Sequence, residues 1–122
     1  MTSASDATSK PKAKRKARPR ATTVLCQEII DTCVAMNAQG INQGTSGNVS
    51  VRHGEVMLIT PSATPYDAMT PDMIAEMPLD GDADDGAWTG PRKPSTEWRF
   101  HRDILRARPD IGAVVHAHPP YC

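Results

Sequence analysis

The pattern in this 122-residue sequence that carries the most chemistry is His116-Ala117-His118. It closes an apolar run, Val114-Val115, that reads as a β-strand. Side chains two apart on a strand point to one face, about 6.6 Å apart along the backbone. Two imidazoles so placed can converge on one transition metal at about 2.0–2.1 Å, and neutral imidazole is the commonest ligand for such ions. On spacing alone, the pair reads equally well as two histidines satisfied by solvent or by the core at a strand end.

Glu97 adds a carboxylate. It opens a helix behind Pro94-Ser95-Thr96, where negative charge interacts favourably with the helix dipole. Simple helix-end electrostatics is the plain reading of such a residue. His101 lies four residues on, on the same helical face, and reads as a hydrogen-bonded structural histidine or as an additional ligand. Three further tracts are rich in hydroxyls, amides and glycines: Gly44-Thr45-Ser46-Gly47-Asn48, Thr60-Pro61-Ser62-Ala63 and Ser95-Thr96. Backbone N–H groups in turns and at helix N-termini bind phosphate without a full positive charge, although each tract alone is also an ordinary turn. The sequence has neither a P-loop nor a dinucleotide fingerprint, which argues against a nucleotide site.

The elements that must position these groups follow from periodicity. Leu25, Cys26, Ile29, Ile30, Cys33, Val34 and Met36 recur at helical spacing, with Thr23 as the expected cap and Gly40 as the stop. Val49 and Val51, then Val56, Leu58 and Ile59, alternate around His53-Gly54 and predict a β-hairpin. Met69–Asp72 reads as a short helical turn, Met73–Met77 as a third strand, and Asp80–Gly90 as an acidic surface loop. A second helix is expected from a Ser95 or Thr96 cap through Trp98, Phe100, Ile104 and Leu105, ending before Pro109. Ile111–His118 is the last expected strand. Alternating strands and helices predict an α/β fold, a sheet with helices packed on it.

Composition sets the frame. Apolar residues make up 39% and aromatics 4%, so the expected core is aliphatic and modest, and the length suits one domain. No run approaches the ~18 apolar residues of a membrane span, and no secretory signal pattern opens the chain. The net charge of zero hides an asymmetry: residues 1–23 sum to +6 and residues 24–122 to −6. Residues 1–22 lack apolar periodicity and are expected to be a disordered basic tail, with non-specific nucleic-acid or anionic-membrane contact as the functional rival. Three cysteines without metal-ligand spacing fit neither a disulfide framework nor a cysteine zinc site. Cys26 and Cys33 read as core residues, and a reducing, cytoplasmic setting is expected.

Taken together, four tracts resemble a known family. They are Gly40–Arg52 (Gly-Ile-Asn-Gln-Gly-Thr-Ser-Gly-Asn-Val-Ser-Val-Arg), Met57–Ser62, Pro94–His101 and Ala113–His118. From Leu25 to His118 the chain is similar to the N-terminal part of the class II aldolase/adducin family, and the Glu-Trp-Arg-Phe-His tract is most similar to its fuculose-phosphate aldolases. The resemblance implies a layered α/β/α fold and zinc-dependent cleavage of a sugar phosphate to dihydroxyacetone phosphate and an aldehyde. His116 and His118 would be two of three histidine ligands to Zn2+, with another divalent metal as the alternative. The ion would act as a Lewis acid on the substrate carbonyl and hydroxyl, and Glu97 would be the acid/base residue. Thr45, Gly47, Asn48, Thr60, Ser62, Ser95 and Thr96 fall at or beside the family's phosphate-binding positions. Ala63 stands where the fuculose-phosphate enzymes usually carry glycine. The family's third histidine lies well downstream, whereas this chain stops four residues after His118. The expectation is therefore a domain (residues 23–122) truncated at its C-terminus and inactive by itself, from an enzyme that is a homotetramer when complete. A sugar-phosphate 4-epimerase or dehydratase on the same scaffold, or a non-enzymatic adducin-like interaction module, is the alternative.

Overall fold

The first helix, α1, spans Arg20–Ala38 and buries Thr22, Cys26, Ile29, Ile30, Cys33 and Met36 along one stripe. The computed structural model describes residues 18–80 and 86–119. The helix begins three residues before the expected cap. Thr23 lies inside it and donates its hydroxyl back to the Pro19 carbonyl, and Pro19 is the N-terminal flanking residue. The early start has a visible cause: the Arg18 guanidinium donates to the carbonyls of Pro71 (2.9 Å) and Ile74 (2.5 Å). Thr22 also meets His53 Nε2 at 3.2 Å. Residues 18–22 thus belong to the packed body and not to the tail expected to end at residue 22, and residues 1–17 lie outside the described residues.

The helix stops as anticipated near Gly40, whose φ of +74° is the left-handed conformation that glycine adopts without cost. Gly40 N–H bonds to the Asn37 carbonyl and Ile41 N–H to that of Met36. This paired reverse bonding satisfies carbonyls that the helix end leaves open.

Among the described residues the sheet has four strands: β1 Asn48–His53, β2 Val56–Ile59, β3 Ala75–Pro78 and β4 Ala113–His116. Their spatial order is β3-β2-β1-β4 and every pairing is antiparallel. The expected hairpin is β1–β2, with His53 opposite Val56 and the turn at Gly54-Glu55. Two short 3-10 turns, Tyr66–Ala68 and Pro71–Met73, precede β3. The third strand is therefore later than expected, because Pro71 sets off a turn that takes in Met73. The acidic loop lies partly outside the described residues (81–85), and Thr89 bridges back to Glu76.

The second helix, α2, spans Trp98–Ala107. Neither Ser95 nor Thr96 caps it; Glu97 is the flanking residue and its N–H bonds to Ser95 Oγ at 3.2 Å. The last strand is half the expected length. Ile111 is held in the turn after α2 by the Arg108 carbonyl, and His118 N–H bonds to the side chain of Asn42 instead of a strand neighbour.

Register sorts the side chains into layers. Val49 and Leu58 face α1 with Cys26, Ile29 and Ile74, while Met57, Ile59, Ala75 and Met77 face α2 with Leu105. Burial of each large aliphatic side chain contributes about 1.5–3 kcal/mol. The result is helix, sheet, helix, with Cys26 and Cys33 inside the α1 layer as free thiols. Burial pushes the Cys33 thiol up to about 12, so it stays protonated and inert.

Candidate metal and phosphate site

Three chain segments meet at the β4 end of the α2 face. Asn48 lies opposite His116 in the β1–β4 ladder, so both project toward α2. Glu97 arrives at the mouth of α2. Its Oε1 lies 2.9 Å from His116 Nδ1 and accepts from Asn48 Nδ2 at 2.7 Å. The His116 and His118 rings sit side by side, 4.6 Å between centroids. Ligand atoms of Glu97, His116 and His118 all fall within 4.8 Å of one another.

The state of one atom suits this group to a metal. His116 Nδ1 is buried and has no hydrogen-bond partner of acceptable geometry, even with Glu97 Oε1 at 2.9 Å. A buried polar atom left unpaired costs about 1–3 kcal/mol, which an ion between imidazole and carboxylate would remove. Two imidazoles and one carboxylate are also a donor set that suits a divalent transition ion. The hydrogen bond from Asn48 holds the Glu97 carboxyl below the usual carboxylate range, and the neighbouring histidines act in the same direction against partial burial. Glu97 is thus ionised at neutral pH.

Backbone pairing gathers the hydroxyl-rich tracts beside this cluster. Ser62 N–H bonds to the Lys93 carbonyl and Ser95 N–H to that of Thr60, which zips the two loops together. Thr45, Gly47, Asn48, Ser62, Ser95 and Thr96 then line one cleft of about 370 Å³, with Glu97 and His118 on its wall. Thr60 is buried with its Oγ1 facing Val49 N–H at 3.4 Å, and the cleft is lined by the Pro61 and Ser62 that follow it. Ala63 does, and it holds φ at +51°, a left-handed conformation that favours glycine and costs an L-residue about 1–2 kcal/mol.

Gly47 is needed for closeness. A Cβ there would sit 2.7 Å from both Asn42 Oδ1 and the His116 carbonyl oxygen. The loop is seated against β4 by two residues that spacing and motif do not single out. Tyr66 donates its hydroxyl to the Gly47 carbonyl at 2.6 Å, and buried Asn42 accepts His118 N–H at 2.7 Å. No periodicity announces either one, although Asn42 lies within the Gly40–Arg52 tract.

His101 is structural. It is fully buried, with Nδ1 2.7 Å from Ser50 Oγ and Nε2 bonded to Asn48 Oδ1. With both nitrogens engaged, it has no lone pair to offer a metal. Burial, aided by the nearby His116 and opposed by Glu97, drives its ring down to about 4, so it is neutral.

The model of the class II aldolase and adducin N-terminal domain matches residues 27–122. A 5-methylthioribulose-1-phosphate/5-deoxyribulose-1-phosphate aldolase from Rhodospirillum rubrum is 46% identical over 103 residues, covering 84% of this chain and 44% of that protein. An L-fuculose phosphate aldolase from Escherichia coli K12 is 46% identical over 98 residues, covering 80% of this chain and 43% of its own length. Among solved structures, an L-fuculose 1-phosphate aldolase superposes with a TM-score of 0.72 at 31% identity, over 81% of this chain and 46% of that one. The L-fuculose-1-phosphate aldolase from Thermus thermophilus gives 0.63 at 33% identity, over 80% and 47%. The chain spans less than half the length of each of these relatives.

Proposed function

Because the chain belongs to the class II aldolase and adducin family, we propose that it supplies the metal-binding and phosphate-binding parts of a zinc-dependent sugar-phosphate aldolase. The observation that carries this reading is the clustering of Glu97, His116 and His118, with Glu97 and His118 on the wall of the hydroxyl-lined cleft. His116 and His118 would hold the ion, Zn2+ or another divalent metal, with Glu97 joining them until substrate enters and frees it as the acid/base. Bound there, it supplies Lewis acidity toward a substrate carbonyl or hydroxyl.

The chain's own residues do the rest. Thr45, Gly47, Ser62, Ser95 and Thr96 receive the phosphate through hydroxyl and backbone N–H groups, fixing the sugar's reach toward Glu97. In cleavage, a base takes the proton of the hydroxyl on the carbon that becomes the aldehyde. The C–C bond breaks with its electron pair passing to the carbon next to the ketone carbonyl, and protonation of that carbon gives dihydroxyacetone phosphate. Glu97 is the carboxylate poised to hold and return that proton, its Oε1 kept in place by Asn48. A 5-deoxy or 5-methylthio ribulose 1-phosphate and L-fuculose 1-phosphate are the substrates this reading favours, following the two relatives. Assembly into a homotetramer and residence in the cytoplasm belong to the same reading; the buried free thiols of Cys26 and Cys33 fit a reducing setting. Among the described residues no helix is long and apolar enough to cross a membrane.

A chimera tests the proposal: this chain replaces the matching region of the Escherichia coli L-fuculose phosphate aldolase. Zinc-dependent release of dihydroxyacetone phosphate is expected, falling ~10²–10⁴-fold in turnover in the Glu97→Gln chimera with zinc still bound. Residues 1–122 alone are expected to bind the ion without cleaving either substrate. A folded, zinc-loaded chimera that cleaves neither substrate would overturn the assignment.

A further inference from the structure

We propose that His101 is a positioning residue that, through the side-chain amide of Asn48, fixes the Glu97 carboxylate against His116. The inference rests on the functional reading above and adds to it a residue that touches neither metal nor phosphate.

One line of hydrogen bonds connects these groups: Ser50 Oγ to His101 Nδ1, His101 Nε2 to Asn48 Oδ1, Asn48 Nδ2 to Glu97 Oε1. An ionised carboxylate only accepts, so Asn48 must turn its NH2 end toward Glu97. Its carbonyl end then faces His101 and demands an N–H there. The imidazole must therefore carry its proton on Nε2, leaving Nδ1 bare to accept from the Ser50 hydroxyl. Each group has one orientation that satisfies its neighbours, and the line ends at the carboxylate beside the metal ligands.

The placement supports a transmitting role. Asn48, Ser50 and His101 are all buried, so water does not compete for these bonds. Ser50 and Asn48 sit two apart on β1 and share its α2 face, while Glu97 and His101 sit four apart at the start of α2. The line thus ties the strand to the helix at two rungs. Without a donor from His101, the Asn48 amide is free to rotate. The alternative orientation would set its carbonyl oxygen against the Glu97 carboxylate and repel it from His116.

The test uses the 122-residue chain and needs no turnover. First, ¹⁵N NMR of the His101 ring at neutral pH is expected to show the proton on Nε2 and a bare Nδ1. A proton on Nδ1 with bare Nε2 would overturn the proposal. Second, zinc affinity is measured by titration for His101→Leu, which removes both bonds, and His101→Gln, whose amide restores an N–H at the Nε2 position. Partners behind metal ligands typically affect affinity by about 10–100-fold. His101→Leu is expected to lose at least about tenfold, and His101→Gln to stay within about threefold of the unsubstituted chain. Equal losses in the two variants, or none in either, would show a mere packing role and sink the inference. If the unsubstituted chain binds no zinc, the proposed function fails, and the NMR result still decides the hydrogen-bond line.

Discussion

Each of the chemically important side chains is poised by a neighbour that spacing does not reveal. Glu97 is ionised because Asn48 donates to it; His118 is placed because Asn42 takes its N–H; His101 is neutral because it is buried. The neutral His101 ring couples stability to pH. Folded, it stays neutral down to about pH 4, whereas an unfolded histidine charges below its usual 6.5. Between those values the unfolded chain binds more protons, so the contribution is complete above about pH 6.5 and is lost as pH falls toward 4. The gap corresponds to roughly 3 kcal/mol. Chemical denaturation at pH 7 and pH 4.5 is expected to show a marked loss of stability. His101→Gln, which has nothing to titrate there, should flatten the slope between pH 6.5 and 4.5. An unchanged slope in that variant would assign the acid sensitivity elsewhere. The spacing of His116-Ala117-His118 raised a metal pair without deciding it, and only the family resemblance lifted Glu97 above a helix-end charge. Their supports were not legible, because Asn42, Ser50 and Tyr66 act through tertiary contacts without a period.

At the scale of elements, the helices, their stops at Gly40 and before Pro109, and the β1–β2 hairpin could be read from the sequence, whereas the helix starts and the length of the last strand could not. The α1 start moved because Arg18 reaches carbonyls of residues 71 and 74, more than fifty positions away. The last strand shortened because Asn42 claims His118 N–H. Alternation along β1 identified Val49 and Val51 as one face. It could not show that the polar face, with Asn48 and Ser50, is covered by α2 and becomes the site. Gly47 illustrates how one loop depends on one strand. Alanine there would push against the His116 carbonyl and the buried Asn42 side chain, neither of which can yield without moving His116 or His118. Gly47→Ala is expected to cost about 1–3 kcal/mol in denaturant unfolding and to weaken zinc binding about tenfold. Stability and affinity equal to those of the unsubstituted chain would mean that the loop gives way without disturbing β4.

The described residues form a four-stranded antiparallel sheet between two helices, with the candidate site at one end of the α2 face. Central β1 joins β4 across some sixty residues, a pairing that no local pattern encodes; only the family resemblance made the layered α/β/α arrangement readable in advance. That pairing brings Asn48 opposite His116, and the zipping of the Thr60–Ala63 and Lys93–Thr96 loops places the cleft beside them. The central claim is that Glu97, His116 and His118 hold a divalent ion at the edge of a phosphate-binding cleft. Zinc titration of the 122-residue chain by calorimetry tests it most directly. One ion per chain is predicted, with affinity falling at least about a hundredfold in His116→Ala and in His118→Ala, since each removes a direct ligand and even partners behind ligands typically account for about 10–100-fold. A single zinc bound with undiminished affinity in both variants would contradict the claim.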